Sequence, residues 1–232
     1  MPHVLENIFF SLDYKSFKTC MDVNKTWKEL LSSEPYQKKL HEMLIEKKNN
    51  ETKLQSAIKE GNAEEVRILI TKNVVDVNKH LSEAVWWGHN DVVKLLIDAG
   101  TDIDNEVCGK TPLSYAAMCF KDIVKTLLDA GANIDKADYE GVTPLHRAVR
   151  SGNKGVVQLL IERGAQPNVA TIEGLTPLHL ALKYHNFHNG RVIKPLMEGG
   201  ADPHWEDRWG VTPMQEATRM GPKIRELLMP PY

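Results

Sequence analysis

Apolar residues along this chain fall in short clusters that recur at a long, regular interval. Leu95-Leu96-Ile97 leads to Gly100, Leu127-Leu128 to Gly131, Leu159-Leu160-Ile161 to Gly164, and Leu196-Met197, more loosely, to Gly199-Gly200. Thr-Pro dipeptides lie between these clusters at Thr111-Pro112, Thr143-Pro144, Thr176-Pro177 and Thr212-Pro213, spaced by 32, 33 and 36 residues. Each Thr has a glycine two residues upstream (Gly109, Gly141, Gly174, Gly210). Each Pro has an alanine four residues downstream (Ala116, Ala148, Ala181, Ala217).

These positions predict one supersecondary unit, repeated. Pro in the first helical turn sets φ and costs no hydrogen bond, because its amide would be unpaired there anyway. The preceding Thr is a good N-cap, and the Gly before it permits a tight turn with positive φ. The small Ala lets two short helices approach closely. The Leu-Leu pair is the buried stripe of a second helix, and the Gly past it closes that helix. Each unit therefore reads turn, helix, turn, helix, and the architecture is all-α. Such a unit cannot bury its apolar face alone, so neighbouring units must stack.

The pattern resembles the ankyrin repeat. Gly141-Val142-Thr143-Pro144-Leu145-His146-Arg147-Ala148 carries the family's G-x-T-P-L-H-x-A signature, and Gly174 to Ala181 carries it again. Two earlier units lack Thr-Pro and have short turns. Leu54 to Asn62 leads into Val66 to Ile70, and Leu81 to Asn90 leads into Val92 to Gly100. The aligned alanines then run Ala57, Ala84, Ala116, Ala148, Ala181, Ala217, which implies a solenoid of about six units over residues 51–232. Approximate bounds are 51–78, 79–105, 106–137, 138–170, 171–206 and 207–232. The fifth unit carries an insertion near Lys183–Arg191, expected to lengthen the loop between its helices. The last unit is short and ends in Met229-Pro230-Pro231-Tyr232.

Residues 1–48 follow another pattern. Val4, Leu5, Ile8, Phe9 and Leu12 recur at helical spacing, and Asp13, Asn24 and Pro35 are candidate starts for further short helices. Those helices would carry Phe17, Cys20 and Met21, then Trp27, Leu30 and Leu31, then Tyr36, Leu40, Met43 and Leu44 on their inner faces. A core this small is marginal alone. The segment resembles an F-box through Met1-Pro2, Leu5, Ile8, Leu12-Asp13, Ser16, Val23, Lys25 and Trp27, with Leu30 and Leu40 beyond. It departs from that family at Met1 and Phe17, where Leu is usual, at Asn24, where Cys is usual, and at Tyr36, where Trp is common. The resemblance implies docking on the Skp adaptor of SCF-type (cullin-RING) ubiquitin ligases through Pro2, Leu5, Ile8, Leu12, Phe17 and Val23. It also implies a protein substrate held by the rest of the chain. The alternative for this segment is a helical cap that closes the repeat stack. The whole chain would then be an ankyrin scaffold or inhibitor with no ubiquitin role.

The ankyrin resemblance also places a partner-binding face on the ends of the first helices and on the turn tips. The helix-end pairs are Lys59/Glu60, Trp86/Trp87, Met118/Cys119, Arg150/Ser151, Lys183/Tyr184 and Arg219/Met220. The residues flanking each tip glycine are Cys108/Lys110, Tyr139/Glu140/Val142, Ile172/Glu173/Leu175 and Arg208/Trp209/Val211. Trp, Tyr and Arg dominate binding hot spots, which singles out Trp86, Trp87, Tyr139, Arg150, Tyr184 and Trp209. Adjacent helical residues point about 100° apart, so one tryptophan of the 86–87 pair is expected to pack against a neighbouring unit and the other to be exposed. Alternatively, both fill space left by the short turn of the second unit.

Composition narrows the function. A net charge of −2 gives no electrostatic case for nucleic acid or an anionic membrane. Met1 to Phe10 carries Glu6 and no basic run, so no secretory signal is expected. No apolar run approaches the roughly 20 residues a spanning helix needs. Three cysteines (Cys20, Cys108, Cys119) form no disulfide framework, and a cytoplasmic or nuclear setting with free thiols is expected. There is no Walker-type Gly-Lys-Ser/Thr loop and no Cys-x-x-Cys pair. His185 and His188 lie three apart in the inserted loop, a spacing that can hold a metal but here lacks further ligands. His146 and His179 occupy the repeat's own Thr-Pro-Leu-His slot. The expectation is a monomeric, non-catalytic binding protein without cofactor or metal.

Overall fold

The computed structural model describes residues 34–72, 75–183 and 190–229. The chain divides into two compact units, Met1–Thr52 and Lys53–Tyr232. Among the described residues there are twelve α-helices, one 3-10 turn, and a lone β-bridge between Val107 and Lys110.

In the first unit the described part is helical. Helix α1 (Glu34–Glu60) starts one residue before the expected Pro35 and runs without a break through residues 48–51 to Glu60. No glycine or proline stands between Pro35 and Gly61 to interrupt it. Met43 and Leu44, expected on an inner face, are exposed, as is Ile45. Three consecutive apolar residues spread around the helix axis instead of forming a stripe, and lysines and glutamates flank them on the sequence.

The second unit is the stack. The last two turns of α1, from Lys53, bury Leu54, Ala57 and Ile58 and are followed by α2 (Ala63–Thr71). The later pairs are α3 (Leu81–Trp87) with α4 (Asn90–Asp98), α5 (Pro112–Cys119) with α6 (Lys121–Asp129), α7 (Pro144–Arg150) with α8 (Lys154–Glu162), α9 (Pro177–Lys183) with α10 (Gly190–Glu198), and α11 (Pro213–Met220) with α12 (Pro222–Leu227). First helices pack on first helices in the order α3, α5, α7, α9, α11. Second helices pack on second helices in the order α2, α4, α6, α8, α10, α12. The fifth pair has the long inter-helix interval that its inserted residues imply, from Lys183 to Gly190.

The core runs continuously through all six pairs. Ala57, Ala84, Ala116, Ala148, Ala181 and Ala217 are each at most 1% exposed. A methyl side chain at this position is what lets successive first helices close on one another. Leu96, Leu127, Leu160 and Leu196 form the matching stripe of the second helices and are fully buried. Burial of each stabilises the stack by about 1.5–3 kcal/mol. Three of the Thr-Pro threonines cap as the sequence predicts. Thr111, Thr143 and Thr212 accept the amides of Ser114, His146 and Gln215 at 3.1, 3.4 and 3.2 Å.

The turns before α7, α9 and α11 are narrow hairpins closed by Asp138–Val142, Thr171–Leu175 and Asp207–Val211 amide-to-carbonyl bonds. Successive tips are joined edge to edge. The Ile172 amide donates to the Glu140 carbonyl at 3.0 Å, and the Arg208 amide to the Glu173 carbonyl at 2.9 Å. This close approach explains two of the tip glycines. At Gly141 (φ 77°) a Cβ would meet the Thr171 backbone at 3.0 Å, and at Gly174 (φ 79°) it would meet the Arg208 backbone nitrogen at 2.8 Å. The second unit of the repeat has no such hairpin. Val77–Lys79 forms a 3-10 turn that leads through His80 directly into α3.

Gly174→Ala therefore combines a left-handed strain with a backbone collision, whereas Gly210→Ala (φ 72°, open space) carries the strain alone. We expect Gly174→Ala to cost roughly 2–3 kcal/mol and Gly210→Ala about 1 kcal/mol, read as the shift in urea denaturation midpoint. Equal shifts would contradict the tip packing described.

Candidate partner-binding face

The C-terminal ends of α1, α3 and α5 lie on adjacent elements of the stack, and side chains on these elements meet. Trp86 and Trp87, at the end of α3, are 59% and 42% exposed. Both are exposed, and each also meets a residue of a neighbouring unit, as was expected of only one of the pair. The apolar interior of the second pair is filled by Leu81, Ala84 and Val85 on α3, so no room is left for an indole. The two rings instead lean to opposite sides. Trp87 lies under the Lys59 ammonium of α1, 5.3 Å from the ring centroid. Trp86 meets Tyr115 of α5 edge to face, with centroids 6.0 Å apart and planes at 89°. Tyr115 in turn lies under the Lys110 ammonium at 5.8 Å, and its hydroxyl donates to the Val107 carbonyl at 3.3 Å. The result is a continuous strip, Lys59–Trp87–Trp86–Tyr115–Lys110, across the first three units.

The other candidates are exposed but sit elsewhere. Tyr139 lies on a tip, its ring against Gly109 of the preceding tip. Arg150 is exposed at the end of α7, and Trp209 is exposed on the last tip, with three units intervening between it and Trp86. These residues are not brought together with the tryptophan pair. Tyr184 lies outside the described residues, as do Pro2, Leu5, Ile8, Leu12, Phe17 and Val23. Among the residues flanking the tip glycines, Leu175 is buried and Val142 and Val211 are half-buried. Each of these three turns back toward the helices because its own carbonyl closes the hairpin.

Between the fourth and fifth tips is a shallow cleft of about 190 Å³, lined by Val142, Arg147, Arg150, Ile172, Leu175 and Leu180 among others. Beside it, Arg147 forms an ion pair with Asp138, both largely buried. Asp138 also accepts the Glu140 and Val142 amides at 2.9 and 3.0 Å, so the carboxylate shapes the hairpin while Arg147 neutralises it. The Arg147 Nε is buried without a hydrogen-bond partner.

The slot histidines join neighbouring units. His146 Nε2 donates to the Leu175 carbonyl at 3.0 Å, and its Nδ1 accepts from the Thr143 amide and hydroxyl at 3.1 and 2.8 Å. His179 repeats the arrangement, with Val211 and Thr176 as partners. Both rings are thereby neutral Nε2–H tautomers. Burial pushes the His146 pKa down from 6.5 to about 4, opposed by its bond to the Leu175 carbonyl. Burial lowers that of His179 as well, opposed by the Val211 carbonyl. A histidine with both nitrogens committed and charging disfavoured is a structural link, not a base poised to work.

Family comparison decides what this stack is. A family model described as ankyrin repeats (3 copies) matches residues 20–107 and 81–171, and one described as ankyrin repeats (many copies) matches residues 151–194. The chain belongs to the ankyrin-repeat family. The search of curated proteins returned no match. The family matches concern the repeats; the first begins at residue 20, inside the segment that resembles an F-box. Ankyrin repeats are modules of protein–protein interaction.

Sequence reading missed some of the ankyrin framework. Asn78, Asp104, Asp135 and Asn168 each accept a backbone amide from the next unit, those of Asp102, Asn133, Gln166 and Asp202, at 2.8–3.2 Å. The signal was present as an Asx residue recurring once per unit, but Thr-Pro drew the alignment. Tyr115 was missed for a related reason. Its position is Arg147, Leu180 and Glu216 in the later units, so no residue type recurs there to mark it. Among the described residues no group of His, Cys, Asp and Glu is placed to hold a metal, and no helix is long and apolar enough to cross a membrane. His185, His188 and Cys20 lie outside the described residues, while Cys108 and Cys119 are exposed free thiols.

The histidine links predict acid sensitivity. The unfolded chain protonates its histidines near 6.5, while folded His146 resists until about 4. The unfolded state therefore binds more protons in this window, and stability falls as pH drops through it, by about 3 kcal/mol in full. Gln215 already fills the same slot in the last unit, its Oε1 accepting the Thr212 amide at 3.2 Å. His146→Gln should keep the cap and flatten the decline of the urea midpoint between pH 7 and pH 4.5. An unchanged pH profile would show that His146 does not drive it.

Proposed function

We propose that this ankyrin protein is a substrate-recognition subunit of an SCF-type ubiquitin ligase. In this reading residues 1–48 dock the Skp adaptor through Pro2, Leu5, Ile8, Leu12, Phe17 and Val23, and the stack holds a protein substrate. The observation that supports the substrate half is the exposed pair Trp86 and Trp87, continued by the half-buried Tyr115, on a stack whose helices otherwise bury most of their large apolar residues. Trp and Tyr side by side at a surface are typical of interaction hot spots, not of a solvated face. The F-box resemblance supports the adaptor half. The chain itself performs no group transfer. It raises the local concentration of substrate beside a separate ubiquitin-loaded enzyme, which converts an encounter between free molecules into one within a complex. The protein would act as a monomer within that complex, in the cytoplasm or nucleus.

A second reading, an ankyrin scaffold or inhibitor without a ubiquitin role, is favoured by two observations. Helix α1 runs unbroken across residues 48–51, and the ankyrin match begins at residue 20. Neither observation calls for a separate adaptor-docking segment.

Pull-down of the purified full-length protein with purified Skp adaptor separates the two. We expect capture by the wild type and at least a tenfold loss in a Leu5→Asp/Ile8→Asp variant whose repeat stack still melts normally, since helix docking into an apolar groove does not tolerate two carboxylates. A well-folded wild type that captures no adaptor would leave the scaffold reading.

A further inference from the structure

The strip on the first three units has a chemical polarity that points to its occupant. Two ammonium groups cap the ends of a three-ring apolar run, Lys59 over Trp87 and Lys110 over Tyr115. A lysine above a ring spends only some of its donor capacity, since the ammonium carries three N–H groups. Neither lysine forms an ion pair among the described residues. Carboxylates on the neighbouring backbone are already engaged. Glu60 accepts the Ser56 hydroxyl at 2.9 Å, Glu83 pairs with His80 at 3.0 Å, and Glu106 pairs with Lys136 at 3.1 Å. The same sign continues along the first-helix ends, where Lys183 and Arg219 occupy the last turns of α9 and α11. The chain as a whole is slightly acidic, with a net charge of −2. Uncommitted positive charge beside exposed aromatic rings is therefore a local property of this row and not a reflection of overall charge.

We infer that the strip binds an acidic segment of a partner protein, with an aromatic or aliphatic side chain seated on Trp86 and Trp87 and flanking Asp or Glu side chains paired with Lys59 and Lys110. This rests on reading the first-helix face as the partner site and adds the class of partner. Each lysine lies over one ring, Lys59 over Trp87 and Lys110 over Tyr115, and keeps N–H donors to pair with a carboxylate at the edge of the apolar run. The rings supply the apolar anchor that charge alone lacks. Long-range attraction then speeds encounter, and its dependence on salt is the signature of this arrangement.

The test selects 12-residue peptides from a random display library on the full-length protein and measures the best binders by fluorescence anisotropy. The expected winners are enriched in Asp and Glu around one Phe, Trp, Leu or Ile. Their affinity should fall about tenfold or more in Lys59→Glu/Lys110→Glu and about thirtyfold in Trp86→Ala, with melting curves unchanged. Their affinity should also fall steeply as NaCl rises from 50 to 500 mM. Selection against the charge-reversed variant should return basic peptides. Winners without acidic enrichment that still depend on Trp86 would overturn the acidic class while leaving the face as a partner site. Winners indifferent to both sets of substitutions, or none at all, would overturn the site itself. An oligothymidine probe that binds through the same residues more tightly than every selected peptide would replace a protein partner with single-stranded nucleic acid. Adaptor capture through residues 1–48 is read separately, so none of these outcomes is confounded with the ligase reading.

Discussion

No single pair of helices in this stack owns a core. Each first helix of the later units is only about two turns long, and its buried residues face both the second helix of its own unit and the neighbouring first helices. An isolated pair would leave that surface in water, and a helix this short is unstable alone. Everything else depends on how closely neighbouring first helices can approach, and the row of six buried alanines sets that distance. A larger side chain there would push adjacent units apart and open the leucine stripe behind them, so the damage would not stay local.

Polar links complete what the alanines begin, and they are also periodic. The slot histidines tie one hairpin to the next through backbone carbonyls, and the Asx residues tie one inter-unit turn to the next through backbone amides. Both satisfy main-chain groups that tight turns leave unpaired. A backbone ladder adds to these links at the hairpins preceding α7, α9 and α11. The earlier units, without hairpins or with the two-residue turn at Cys108-Gly109, lack that ladder. The uncovered aromatic strip lies on these earlier units.

The fold was largely legible because its determinants are local and repeated. Thr, Pro, Gly and Ala each do one job at one position, and a period near 33 residues shows the same job done four times. The candidate face was only partly legible. That Trp86 and Trp87 are on the surface follows from their place at the end of a first helix. That both are exposed, and that they lean apart toward Lys59 and Tyr115, depends on what the adjacent units put beside them. Tyr115 and the Asp138–Arg147 pair were not anticipated, because each is a single occurrence with no periodic counterpart to mark it. The length of α1 was misjudged from the other direction. A change of sequence pattern near residue 50 suggested a break, but helices end where a residue stops them, and no residue there does.

The sequence by itself determined the all-α repeat, the number of helix pairs, the capping residues and the buried alanines. Each of these follows from backbone preferences and hydrophobic period within one unit. The tertiary structure decided which surface residues become neighbours. Lys59, Trp86, Tyr115 and Lys110 belong to three different units, and Gly141 and Gly174 are required by the tips of the units that follow them. Contacts of this kind are set by the stacking distance between units and by the side chains each presents across it, and no pattern confined to one unit carries that information.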